Sequence, residues 1–329
     1  MSRRGWLMFA AMSVIWGIPY LLIKVAVGGV PVPVLVLCRV GIGAALLLPI
    51  AIRRRQLGQL LPHWRWLALF AIVEIVVPWL LLSEAETRLS SSMSGLLIAS
   101  VPILVAVLSR LTGGTDRLTP VRWAGLLVGL AGVGLLIGPG TPSGDLGSVG
   151  EVLLVALCYA TGPLIASRQL AELPPLAMTA ACLAFASVIY APLAAVTWPS
   201  TVPSGKVLAA LAGLAVICTA LAFVIFFALI GEVGPARASV ITYINPAIAV
   251  TGGVWLLGEP LTVTMVVAFA LILGGSVLAT RPGQREARRP AHETGESGAE
   301  TDAGTDTARE AQPGLTELPR GGGPARLAP

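Results

Sequence analysis

The sequence predicts an all-α integral membrane protein whose ten transmembrane helices form two inverted five-helix repeats. Three observations carry this reading. The 329-residue chain is 55% hydrophobic and 12% charged, with a mean hydropathy of +0.84, and soluble domains carry about twice that share of charge, about 25%. Its basic residues collect at every second joint between apolar runs. One patterned stretch occurs twice, half a chain apart.

Crossing the hydrocarbon takes about 20 mostly apolar residues, because backbone groups in lipid must be satisfied within the helix. Ten runs fit, at residues 6–27, 33–52, 66–83, 91–110, 122–138, 149–168, 175–197, 206–229, 237–257 and 263–280. Pro and Gly punctuate the joints between them. The first run follows Arg3-Arg4, as a signal peptide would. It continues through Lys24 with no clear cleavage site and is long enough to span, so it is expected to stay as the first helix.

If ten helices alternate, Arg3, Arg4, Arg53, Arg54, Arg55, Arg65, Arg110, Arg117, Arg122, Arg168, Arg237, Arg281, Arg285, Arg288 and Arg289 fall on one face. The other face keeps Arg88 and Lys206. Basic loops stay cytoplasmic, so the expected placement is multi-pass in the cell membrane with both termini inside. An odd helix count would scatter the charge.

The repeat is seen in Ser90 to Thr119 and Gly231 to Thr262. Pro102 matches Pro246 at an offset of 144, and Asp116-Arg117-Leu118-Thr119 matches Glu259-Pro260-Leu261-Thr262 at 143. Pro31 with Pro174, Pro49 with Pro192, Trp16 with Tyr159 and Lys24 with Arg168 fall into line. A fixed-period match across a chain marks duplication. Five helices per copy put the second copy into the membrane from the opposite side. The domains are thus 5–138, 149–280 and a tail.

That tail, residues 281–329, is rich in Gly, Pro, Thr, Glu, Asp and Arg and is expected to be disordered and cytoplasmic. Arg285, Arg288 and Arg289 are placed to touch anionic lipid head groups. The net charge of +5 is spread between apolar runs rather than along one face, which argues against a nucleic-acid partner. Cys38, Cys158, Cys182 and Cys218 lie singly in apolar runs, without the paired spacing of a metal site or disulfide scaffold. The only histidines are His63 and His292, and HExxH, GxSxG and P-loop patterns are missing. No enzyme, metal or cofactor is expected.

Trp16-Gly17, Arg39 early in the second run, the small-residue run with Pro102, and Gly258-Glu259-Pro260-Leu261-Thr262 together resemble the EamA-type proteins of the drug/metabolite transporter superfamily. The resemblance covers residues 5–280. It implies a bundle that exports or exchanges small metabolites by alternating access. It also implies a central cavity lined mainly by helices 1, 3, 4, 6, 8 and 9, with helices 5 and 10 peripheral. Asp116 and Thr115 stand where that family usually has Glu and Gly, and Glu74 is not a usual feature of it. Inverted repeats fit a secondary transporter, because two pseudo-symmetric halves have two equivalent access states.

Glu74 falls near the centre of the third run. A charge there costs about 2.5–3.5 kcal/mol on insertion scales, so such residues tend to face a cavity. It is the first candidate to hold a cationic substrate group or a coupling proton, against a structural role paired with Arg39 or Lys24. Lys24 is expected to snorkel, and Arg39 lies deeper. Trp16, Tyr20, Trp79, Tyr159, Tyr243 and Asn245 lie in helices that the resemblance places around the cavity, and aromatic walls with few polar groups suit small amphipathic molecules. Glu259 and Asp116 stand where an acid can cap the helix that follows. Gly125 with Gly129, Gly134 with Gly138, and Ala270 with Gly274 make small-residue faces for close packing, including a homodimer face. The expected function is secondary export of small organic metabolites, with proton coupling through Glu74. The alternative is a membrane receptor that binds a ligand without moving it.

Overall fold

The computed structural model describes residues 1–112, 119–137 and 145–280. Among these, eight helices are long and apolar enough to cross a membrane: α1 (Arg3–Ala26), α2 (Val32–Arg53), α3 (Leu57–Arg88), α4 (Ser91–Leu111), α5 (Pro120–Ile137), α6 (Leu146–Gln169), α7 (Pro175–Val196) and α8 (Gly205–Val233). Two shorter apolar helices follow, α9 (Ile241–Leu257) and α10 (Val263–Ala279). The elements fall where the ten apolar runs are, and α3 is the one whose ends move most. It reaches Arg88 rather than residue 83, so Glu84 and Glu86 lie inside the helix rather than in a loop.

Many large apolar side chains point outward, Val188 at 73% exposure and Trp255 at 83% among them. A soluble protein would bury them, and lipid makes the inverted arrangement favourable. Trp6, Trp64, Trp66, Trp123 and Trp198 are likewise exposed near helix ends, where indoles sit well at head-group depth. The interior is filled by small residues that let helices approach closely. A Cβ on Gly125 would stand 2.7 Å from the Gly275 carbonyl, and one on Gly132 would stand 2.9 Å from the Ala268 carbonyl. Gly125 and Gly129 are therefore used inside the chain, holding α5 to α10. That is the close helix packing expected of them. Gly134 and Gly274 meet nothing within 4 Å, and Gly138 lies outside the described residues.

Several helices are interrupted rather than straight. α1 breaks at Ile18, before Pro19, and α4 breaks at Ala99 and Ser100, before Pro102. In each case a proline near the start of the second piece has no N–H to give to the preceding turn. α3 carries a π-helical turn at Ile72–Val76, and α8 carries a longer one at Gly213–Leu221. Such widened turns leave backbone carbonyls without their usual partners and often mark functional sites. At the end of the first of them, Val76 O accepts a 2.5 Å bond from the Tyr190 hydroxyl on α7.

The linker between α9 and α10 explains its own sequence. Gly258 takes the left-handed conformation (φ 67°) that ends α9, and the Glu259 amide donates back to Gly253 O at 3.0 Å. This is the glycine-terminated stop common at helix C-termini. Thr262 then caps α10, its hydroxyl accepting from the Met265 amide at 3.2 Å. Glu259 was expected to cap α10. It reaches instead to α4, because Thr262 already holds that position. Asp116, its sequence counterpart, and the tail lie outside the described residues.

Candidate functional site

Arg39 is the centre of the polar interior. It belongs to α2, outside the helices that the resemblance places around the cavity, and is only 6% exposed. Its Nε donates to the Thr219 hydroxyl at 3.1 Å, and its guanidinium carbon lies 3.6 Å from the Trp79 ring centroid. Thr219 can accept because its own hydroxyl proton goes to Leu214 O at 2.8 Å, five residues back across the π-helical turn of α8. The widened turn thus presents an acceptor to the buried cation. A stacked guanidinium gains about 2 kcal/mol or more when desolvated, which offsets part of the cost of burying it.

Around this pair stand Tyr20 on α1 and Tyr159 on α6, both within electrostatic reach of Arg39. Tyr159 also lies close to Trp79. Glu86, on the last turns of α3, completes the ring. It is fully buried, neither carboxylate oxygen has a hydrogen-bond partner among the described residues, and Arg39 and Lys24 are its cationic neighbours. Lys24 reaches to the carboxyl-terminal end of α3. Its Nζ donates to the backbone carbonyls of Glu86 and Leu89, both at 2.7 Å, where the α3 dipole is negative.

Glu74 sits in the π-helical turn of α3. Its Oε2 is buried without a hydrogen-bond partner and lies against Gly162 of α6, where a Cβ would collide with it and stand 2.8 Å from its Cδ. Neither Arg39 nor Lys24 forms a salt bridge with it. Its electrostatic neighbours include Tyr159, Cys158 and Cys182. The carboxyl occupies a nearly neutral niche beside the Arg39 cluster.

Five of the eight expected residues therefore come together: Tyr20, Arg39, Glu74, Trp79 and Tyr159. Three stand elsewhere. Trp16 packs against Phe226 (4.5 Å between centroids) and Phe223 (6.1 Å), an aromatic seam between α1 and α8. The Tyr243 hydroxyl is 2.9 Å from Thr280 Oγ1 at the end of α10. Asn245, with its amide nitrogen turned to satisfy both neighbours, donates to Ile241 O (3.0 Å) and to Ser13 O (3.1 Å), tying α9 to α1. The polar groups of Tyr243 and Asn245 are thus used between helices, and the Trp16 ring lies in aromatic contacts away from Arg39. Glu86 and Thr219 are the members that sequence reasoning missed. The acidic pair Glu84/Glu86 was the available signal, hidden by ending the third run too early.

A bundle that wears its valines and tryptophans outside and keeps a stacked arginine, two carboxyls and two tyrosines within defines a multi-pass membrane protein with a polar interior. The profile of the EamA-like transporter family matches residues 3–138 and again residues 149–281, and the chain belongs to that family. It is 29% identical over 275 residues to the uncharacterized inner membrane transporter YedA of Escherichia coli (strain K12), covering 82% of this chain and 88% of that protein. It is 24% identical over 281 residues to the uncharacterized transporter YvbV of Bacillus subtilis (strain 168), covering 83% and 90%. A solved crystal structure superimposes with a TM-score of 0.61 at 22% identity, covering 85% of this chain and 97% of the other, a likeness of fold.

Proposed function

We propose that the chain is a secondary transporter that exports small organic metabolites by alternating access, with the Arg39 cluster as the substrate site. The observation that carries the reading is the placement of Arg39, bonded to Thr219 and stacked on Trp79 in an otherwise apolar bundle. The cluster draws on both family-matched segments: Tyr20, Arg39, Trp79 and Glu86 come from one, and Tyr159 and Thr219 from the other. A site at the meeting of two halves is what rocking motion needs in order to expose it to each side in turn.

In this reading the two segments are inverted repeats, all ten helices cross an inner membrane, and both termini are cytoplasmic. The π-helical turns of α3 and α8 support the pseudo-symmetry. They lie at comparable depth in the third helix of each half, and one presents Glu74 while the other presents Thr219. Glu74 carries the coupling proton, or binds a cationic group of the substrate, because no cation among the described residues is paired with it.

The test is efflux from proteoliposomes across a metabolite panel, with and without a pH gradient, comparing wild type with Glu74→Gln and Arg39→Ala. Gradient-driven transport that Glu74→Gln uncouples and Arg39→Ala abolishes is expected. Transport indifferent to the gradient and to Glu74→Gln removes the coupling assignment. Normal transport by Arg39→Ala removes the substrate site.

A further inference from the structure

We propose that the Glu259 carboxylate is the gate at one end of the bundle, latched into the amino-terminal turn of α4. The inference rests on the alternating-access reading. Glu259 Oε1 accepts from the Ser91 amide at 2.7 Å and from the Ser91 hydroxyl at 2.9 Å. Its Oε2 accepts from the Ser92 amide at 2.9 Å and from the Ser92 hydroxyl at 2.5 Å. Free amides at a helix start, at the positive end of its dipole, are ready donors to a carboxylate.

Neither helix beside it needs Glu259 as its own cap. Ser90 accepts from the Met93 amide at 3.1 Å to cap α4, and Thr262 caps α10. The carboxylate instead ties α4, from the first family-matched segment, to the end of α9, from the second. α9 is built to come this close. A Cβ on Gly253 would stand 2.9 Å from Ser91 Oγ and would collide with Ser92 Oγ and the Glu259 carboxylate. Further along the same seam, a Cβ on Gly95 would stand only 2.7 Å from the Ala249 Cβ.

Glu259 lines an open pocket of about 330 Å³ together with Lys24, Gly28, Lys206 and Leu257. It also interacts electrostatically with the buried Glu86, which is within electrostatic reach of Tyr20 and Arg39. All four hydrogen bonds of the latch converge on one carboxylate. Swinging the α9–α10 linker away from α4 breaks them together and opens the seam between the pocket and the Arg39 cluster.

The test requires no substrate. In a variant keeping Cys218 as its only cysteine, with Cys38, Cys158 and Cys182 changed to Ala, a membrane-impermeant maleimide is added to the Glu259 face of reconstituted vesicles. Cys218 is buried, adjoins Thr219 and is within electrostatic reach of Arg39. Glu259→Ala removes all four bonds and should speed its labelling by at least about tenfold, the shift expected from losing even one charge-assisted hydrogen bond. Glu259→Gln should give a smaller increase. If Glu259→Ala is not monodisperse, the Ser91→Ala/Ser92→Ala pair, which removes two of the four donors and leaves the backbone in place, gives the same readout. An unchanged labelling rate in the folded variants overturns the gate, whether or not the wild type transports. Faster labelling with no metabolite transported keeps the latch and sinks the transport reading instead.

Discussion

The carboxylate of Glu74 fills the space where a side chain at Gly162 would stand. α6 can pass this close to the π-helical turn of α3 only because residue 162 has no Cβ. Gly162→Ala should therefore lower stability by about 1–3 kcal/mol, the usual cost of overpacking. Glu74→Ala in the same chain should recover most of the loss. Thermal unfolding in detergent of the two single variants and the double variant measures the coupling. Additive effects would mean that the two residues do not share this space.

Arg39 and Trp79 should behave as a unit. Arg39→Lys keeps the charge but loses the flat face that lies over the indole, and should cost about 0.5–2 kcal/mol. Trp79→Leu should cost a similar amount or more, and the pair together less than the sum. Melting curves of the three variants decide it, and strict additivity would refute the stacking.

Gly258 and Thr262 should matter for separate reasons. A Cβ at φ 67° strains the backbone, so Gly258→Ala should lose roughly 1–2 kcal/mol and Gly258→Asn less. Thr262→Ala removes the cap of α10 and should lose about 1 kcal/mol. Amide hydrogen exchange should show faster opening in the last turn of α9 for the first and in the first turn of α10 for the second.

Asp145, just outside α6, should contribute acid sensitivity. The Ser148 hydroxyl, donating at 2.7 Å, holds its carboxyl below the ordinary value of 3.8, with help from Arg88 and the Gly147 and Ser148 amides. A depressed folded-state value means that the stabilisation is present above the unfolded value and is lost as pH falls through the folded one. Asp145→Asn should thus lower the melting temperature slightly at pH 7 and less at an acid pH below the folded value. The effect should be small, because solvent screens an exposed group. A variant equally altered at both pH values would exclude this linkage.

Much of this was legible in the sequence because lipid imposes one-dimensional rules. A helix that must satisfy its own backbone needs a long apolar run, so the positions of α1 to α10 could be read without knowing what touches what. Arg39 and Glu74 stood out for the same reason, since a charge in such a run is costly wherever it points. Aromatic residues carried no such signal. Trp16, Tyr20, Tyr159 and Tyr243 sit in equally apolar runs, and only packing separates Tyr20 and Tyr159, beside Arg39, from Trp16, packed against Phe226, and Tyr243, bonded to Thr280.

Composition and hydropathy by themselves determined the all-helical membrane architecture and the two charges worth watching, because each follows from the cost of placing a residue in hydrocarbon, while the duplicated motifs carried the family resemblance. Tertiary structure decided the partners. Thr219 comes within reach of Arg39 from 180 residues away, and Glu259 finds Ser91 from 168 residues away. Such pairings depend on the angle at which distant helices cross and on the glycines that let them approach, and no local pattern encodes that geometry.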